Sequence, residues 1–206
     1  LLLDEPLGAL DAKLRQDTQF ELMDIQESTG TTFVIVTHDQ EEAMTVASRV
    51  AVMDHGELVQ VDTPDVIYES PNSVYVADFI GDVNIIRGSA ENVGEGATLA
   101  WAEGQSSLVG STNQSFSKGA SAAMAIRPEK IAISSEKPTD RNNVLHGKVL
   151  DIAYLGNIST YHVELENGDV IKAQIANTRR IARRNFTWND PVWLSWTDTA
   201  GIVLAV

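Results

Sequence analysis

The sequence predicts two folds in succession, an α/β part with a parallel sheet and then an all-β part built as a small barrel or sandwich. Three observations carry this. Up to about residue 84, short apolar runs alternate with helical patterns. From about Ile85 the helix signals stop, and short alternating strands follow, separated by Gly, Ser and Asn clusters. The charge changes at the same place. Residues 1–84 hold 17 acids and 3 Lys/Arg, residues 85–206 hold 12 of each, and the whole net charge of −14 falls on the first part. The expected domains are therefore 1–84 and 85–206.

Leu1–Leu3 reads as the end of a strand. Asp11 is placed to cap a helix that carries Leu14, Thr18, Leu22 and Ile25 on one stripe and ends near Gly30. Thr31–Thr37 (TTFVIVT) is a β-branched run of the kind found in strands buried on both faces. Asp39–Ser48 reads as a helix, with Asp39 and Glu42 at capping-box spacing. Val50–Met53 is a further buried strand, Asp54-His55-Gly56 a turn, and Glu57–Asp62 the returning segment. Thr63 and Pro64 open a helix as N-cap and first helical residue, and Pro71 opens another that ends near Gly81. In the second part, Thr160–Glu166 and Asp169–Ile175 flank Asn167-Gly168, a strong hairpin signal. Val192–Trp196 and Ile202–Val206 read as a second strand pair around a polar turn.

Composition excludes several classes. No apolar run reaches the roughly 18 residues that would span a bilayer. There is no cysteine, so neither disulfides nor thiolate metal sites are available. An acidic first part repels phosphate backbones, which argues against nucleic acid as its partner. Arg179–Arg184 (RRIARR) is the one basic cluster and reads as a solvated face. Trp196 alternates with Val192 and Leu194 and is a core candidate, whereas Trp193 falls on the opposite face.

The stretch LLLDEPLGALD, residues 1–11, places Asp4 and Glu5 at the carboxyl end of an apolar strand. In an open α/β sheet that end faces the ligand crevice. There one acid can hold Mg²⁺, directly or through water, and a second can orient or deprotonate an attacking water. Taken alone, an Asp-Glu pair at a strand end is more often a solvated turn.

The stretch LLLDEPLGALD, followed by VIVTHD at Val34–Asp39 with a helix between, resembles the ATP-binding subunit of an ABC transporter. The resemblance continues through QEEAMTVASRVAVMDHGELVQVDTPDVIYESPNSVYVADFIG, the tail of the importer type. It extends to AIRPEKI at Ala125–Ile131, GKVLDIAYLGNISTYHVEL from Gly147 and DPVWLSW from Asp190, which resemble the accessory TOBE barrel of those importers. The Asn84–Arg87 join and WLSWTDTAGIVL lean towards polyamine importers, particularly those for putrescine.

The resemblance implies a partial P-loop NTPase sheet followed by an OB-like TOBE barrel, with ATP and Mg as cofactors. It makes Asp4 the Walker B acid, acting on Mg through water, and Glu5 the general base. Gly8 to Asp11 becomes the loop that faces a second copy of the subunit, and His38 the switch at the γ-phosphate. Arg127-Pro128-Glu129 becomes a structural and regulatory contact of the barrel. The implied partners are that second copy and the transmembrane permease subunits. The implied place is the cytoplasmic face of the bacterial inner membrane, with membrane contact through the permease only. No Gly-x-x-x-x-Gly-Lys-Ser/Thr loop and no Ser-Gly-Gly-Gln signature occurs in the sequence. The expectation is a C-terminal portion of such a subunit, inactive by itself. The alternative is a non-catalytic regulatory or small-ligand-binding β-barrel module.

Overall fold

The computed structural model describes residues 1–93, 96–178 and 185–206. The chain forms two compact units. One comprises Leu1–Asn72 with Phe79–Gly81, the other Ser73–Asp78 with Asp82–Val206.

The first unit opens with a β-α-β element. Strand β1 (Leu2–Asp4) leads through the loop to helix α1 (Ala12–Thr29), which returns to β2 (Val34–Val36). β1 and β2 pair in parallel, Leu2 opposite Val34 and Asp4 opposite Val36. Both ends of α1 fall where the sequence places them. Asp11 Oδ1 accepts from the amides of Lys13 and Leu14 at 3.0 and 3.1 Å, and Gly30 closes the helix in the left-handed region at φ 62°. Helix α2 (Gln40–Val46) follows, then β3 (Val50–Asp54), β4 (Glu57–Asp62) and helix α3 (Pro64–Glu69). Thr63 and Pro64 open α3 as expected, although Thr63 makes no side-chain cap. The Thr63 hydroxyl instead bonds Asp65 and, foremost among several causes, holds that carboxyl below its usual range.

Two expectations for this region are corrected. The β2 strand is not buried on both faces: Val34 and Val36 are 51% and 60% exposed. Among the described residues its one strand neighbour is β1, and Leu1 and Leu2 of that segment are exposed as well. The α1 stripe is covered only in its middle: Thr18 and Leu22 are half-buried and Leu14 and Ile25 exposed, as are Phe20 and Met23 on the other side of the helix. Val50–Met53 does not extend the parallel pair. It forms an antiparallel hairpin with β4, buried on the side of Val50 and Val52 only. The Asp54-His55-Gly56 turn brings the chain straight back, and both His55 and Gly56 take positive φ there.

The second unit begins with helix α4 (Val74–Phe79), whose last residue groups with the first unit. The helix starts three residues after Pro71, where Ser73 Oγ accepts from the Val76 amide at 3.3 Å. The strands are β5 (Asn84–Val93), β6 (Gly96–Ala100), β7 (Leu108–Ser111), β8 (Ala120–Ile126), β9 (Ala132–Ser134), β10 (Asn143–Tyr154), β11 (Ile158–Leu165), β12 (Val170–Ala176), β13 (Pro191–Trp196) and β14 (Ile202–Ala205). They build a closed barrel in the order β14-β7-β6-β5-β8 and a five-stranded sheet in the order β12-β11-β10-β13-β9. One core joins them: Leu99, Leu108 and Met124 of the barrel cluster with Leu145, Val163, Leu194 and Trp196 of the sheet. The β11–β12 hairpin forms at Asn167-Gly168 as expected, with Gly168 at φ 86°.

The expected pairing of Val192–Trp196 with Ile202–Val206 does not form. β13 lies between β10 and β9, whereas β14 lies between β7 and β8. Each strand has two partners already, and the turn at Thr197–Ala200 carries the chain from one sheet to the other.

Two buried asparagines tie the sheet and the barrel together. Asn84, at the start of β5, accepts from the Lys172 amide at 2.7 Å and donates to the Lys172 carbonyl at 2.9 Å. Asn143, at the start of β10, accepts from the Val109 amide at 2.7 Å and donates to the Val109 carbonyl at 2.9 Å. Each amide side chain thus pairs with one residue's backbone as a strand would. A glycine follows each, four residues on, where a Cβ would strike a neighbouring strand. At Gly88 it would lie 2.2 Å from the Ala100 oxygen, and at Gly147 2.6 Å from the Glu164 oxygen. The pattern Asn-Ile/Val-Ile/Leu-x-Gly therefore recurs 59 residues later with the same structural duties.

Candidate active site

The site residues gather at the carboxyl ends of β1 and β2. Asp4 ends β1 opposite Val36 and is exposed. Glu5 follows, its amide bonded to the Val36 carbonyl at 2.8 Å. Its backbone sits at φ 43°, in the left-handed region that non-glycine residues seldom occupy. His38 leaves β2 just beyond Thr37, and its Nδ1 lies 2.9 Å from Glu5 Oε1. Both side chains are more than half exposed. The structure thus brings Asp4, Glu5 and His38 to one mouth, although 33 positions separate the last two in sequence.

Gly8 and Asp11 lie in the loop that leaves Glu5. The Gly8 amide donates to the Glu5 carbonyl at 3.2 Å and the Leu10 amide to Leu7 at 3.1 Å. Leu7 is the buried anchor of this loop, and Gly8 is exposed. Asp11 caps α1 and is exposed. Gly8 does not need to be glycine for space. An added Cβ would be in ordinary contact with the nearest Glu5 atom at 3.5 Å, and Gly8 does not take positive φ.

The turn that presents His38 is braced on both sides. Asp39 Oδ1 caps α2 by accepting from the Glu42 amide at 3.0 Å. The expected capping box closes through a relay. The Asp39 amide donates to Thr37 Oγ1 at 3.0 Å, and the Thr37 hydroxyl donates to Glu42 Oε2 at 2.7 Å. Glu42 is 1% exposed, and its other oxygen has no hydrogen-bond partner among the described residues. Asp39 Oδ2 also receives Arg15 Nη1 at 2.5 Å, and Arg15 Nη2 donates to the Leu10 carbonyl at 3.2 Å. Arg15 and Thr37 escaped the sequence reading. Arg15 had one usable signal, its place one helical turn beyond the cap at Asp11 and on the same helix face.

Asp4 and Glu5 are oxygen donors of the kind that hard Mg²⁺ takes alongside water and phosphate oxygens. They fit the metal side of a magnesium–nucleotide complex. No cluster of three or more His, Asp or Glu able to hold a metal by protein ligands alone occurs among the described residues. No helix among them is long and apolar enough to cross a membrane. In the second unit, Arg127 is buried and donates to the carbonyls of Ala77 at 3.0 Å and Asp82 at 3.1 Å. That is a structural contact. Trp196, Val192 and Leu194 are core, and Trp193 lies on the opposite face beneath Lys137. The cluster at 179–184 lies outside the described residues.

Residues 124–204 match the TOBE domain family. The chain is 44% identical over 207 residues to the putrescine transport ATP-binding protein PotG of Escherichia coli, covering 100% of this chain and 55% of that protein. It is 40% identical to the spermidine/putrescine import ATP-binding protein PotA of Nitrosomonas eutropha, covering 97% of this chain and 55% of that protein. The PotA protein of Nitrosospira multiformis is 41% identical, with 99% of this chain and 56% of that protein covered. The chain thus spans about half the length of the curated relatives it matches. Among solved structures, the cytoplasmic molybdate-binding protein ModG aligns with 60% of this chain and 96% of its own at a TM-score of 0.49 and 12% identity. The alternative, a non-catalytic regulatory or small-ligand-binding β-barrel module, is not favoured by these relatives.

Proposed function

From homology to putrescine and spermidine/putrescine import ATP-binding proteins, together with a TOBE domain, we propose that this chain is part of the ATP-hydrolysing, energy-coupling subunit of a polyamine ABC importer. Residues 1–84 act as part of the ATPase domain, β1 and β2 being strands of its P-loop NTPase sheet. Residues 85–206 act as the OB-like TOBE regulatory domain. The observation that carries the reading is the Glu5–His38 contact beside Asp4 at the mouth of a parallel strand pair.

Bound MgATP would supply the reacting phosphoryl group, with its metal offsetting phosphate charge. Asp4 would hold that metal through water from the end of β1. Glu5, whose Oε1 lies 2.9 Å from His38 Nδ1, takes the proton of the attacking water on its carboxylate. His38 directs Nδ1 at Glu5, which leaves Nε2 to face a phosphate oxygen. Nε2 donates there when the ring carries both protons. Gly8 to Asp11 present the loop to a second copy of the subunit. The further partners are transmembrane permease subunits, and the place of work is the cytoplasmic face of the inner membrane. Backbone amides of a phosphate loop and its lysine supply most nucleotide binding in such enzymes. No Gly-x-x-x-x-Gly-Lys-Ser/Thr loop occurs in these 206 residues, so the chain alone is expected to show no Mg-dependent turnover.

The test is radiolabelled putrescine uptake in cells that depend on the complete subunit. Glu5→Gln and His38→Ala should each abolish uptake while the protein accumulates normally. Uptake that survives both substitutions would overturn the reading.

A further inference from the structure

We infer that Arg15 is a positioning residue that holds Glu5 and His38 at working distance by clamping together the two loops that carry them. The inference rests on the ATPase reading above and adds a residue to it. The two loops come from different strand ends. One, residues 5–11, follows β1, and the other, residues 37–39, follows β2. The paired side chains are both largely exposed, so packing does not hold them together.

Arg15 reaches both loops from the first turn of α1. Its Nη1 donates to Asp39 Oδ2 at 2.5 Å, next to His38 in the chain. Its Nη2 donates to the Leu10 carbonyl at 3.2 Å, in the Glu5 loop. The pair is part-buried, with the Arg15 and Asp39 side chains 31% and 24% exposed, and so is less screened than a surface pair. Asp39 is a rigid anchor because its other oxygen caps α2 and its amide is held by Thr37. Arg15 itself is fixed at its root, its amide bonded to the Asp11 carbonyl at 2.9 Å. A planar guanidinium offers two donors in fixed geometry, which is what two separate acceptors require. A lysine ammonium is a single point charge on a flexible stem.

Among the described residues the hydrogen bonds of the Arg15 guanidinium go to Asp39 and Leu10, not to Glu5 or His38, so it works through the loops rather than on a reacting atom. The Glu5 amide stays tied to the Val36 carbonyl at 2.8 Å, so loss of Arg15 should loosen the loops beyond that bond, at Leu10 and Asp39, and let the His38 ring move off Glu5 while leaving each side chain chemically intact. Misplacement of reacting groups by about 1 Å can cost up to about 100-fold in rate.

Two measurements test this, using Arg15→Ala, Arg15→Lys and, as control, Glu5→Gln. In the 206-residue chain, the nuclear Overhauser contact between the His38 ring and the Glu5 side chain should be present in the native protein. It should be lost in both Arg15 variants and retained in Glu5→Gln. In the complete subunit assembled with its permease, Arg15→Ala should lower kcat for ATP about tenfold or more and leave KM within about threefold, the pattern of a lost positioning contact. Arg15→Lys should recover less than half of the loss. A retained Overhauser contact in Arg15→Lys, or native kcat in either Arg15 variant alongside a dead Glu5→Gln, overturns the clamp and leaves the ATPase reading standing. An active Glu5→Gln instead overturns the ATPase reading. Should Arg15→Ala fail to fold, the Overhauser contact and kcat of Arg15→Lys decide.

Discussion

Replacing Asn143 by alanine should weaken the second unit by about 2–4 kcal/mol, because it strands two backbone groups at once. Asn143 is fully buried, and its amide satisfies both the N–H and the C=O of Val109 in the facing barrel. Alanine removes both partners. Each buried group left unpaired costs about 1–3 kcal/mol, and the lower half of that range applies because Val109 is only part-buried. Typical domains are stable by about 5–15 kcal/mol, so the effect is a sizeable share. All four tryptophans, Trp101, Trp188, Trp193 and Trp196, lie in this unit, and their fluorescence in urea reports on it alone. The midpoint should fall by roughly 1–2 M with the slope unchanged. Asn84→Ala should behave alike, since Asn84 serves Lys172 in the same way. A loss under about 0.5 kcal/mol for both would refute the claim that these amides join sheet and barrel.

Gly147→Ala should cost about 1–3 kcal/mol by forcing its new methyl against the Glu164 backbone, read as a lower Tm. A Tm within a degree of native would contradict the close approach. Asp151 is held below the usual carboxylate range, first by the Ile152 amide and then by the Trp188 indole. With the folded value depressed, its stabilising contacts are complete above the ordinary Asp value near about 3.9 and are lost as pH falls through the lower folded value. Trp188 emission should therefore change only in that acid window, and Asp151→Asn should remove the change. Amide hydrogen exchange should be faster in β1, α1 and β2 than in β10 and β13. The former leave Leu2, Phe20 and Val36 exposed, whereas the latter enclose a continuous core. Equal protection would argue against that difference in packing.

Local chemistry made much of the fold legible. Asp11 and Gly30 bound α1 because capping and left-handed closure depend on neighbours in sequence. The Asn167-Gly168 hairpin was readable for the same reason. What failed depended on neighbours distant in the chain. A β-branched run such as Val34–Val36 shows strand propensity, but which faces are covered depends on what packs there. Val192–Trp196 and Ile202–Val206 are adjacent in sequence, yet each pairs elsewhere because the chain changes sheets between them. The acidic pair and the histidine were legible as residue types at strand ends. Their 2.9 Å contact, and the arginine that spans both loops, arise only when β1 and β2 pair in parallel.

The most direct measurement is Mg-dependent ATP hydrolysis by the complete subunit carrying Glu5→Gln, assembled with its permease. If Glu5 takes the proton of the attacking water, turnover should fall by about 100-fold or more while nucleotide binding persists. Turnover within a few-fold of native would show that the Glu5–His38 pair does no chemistry.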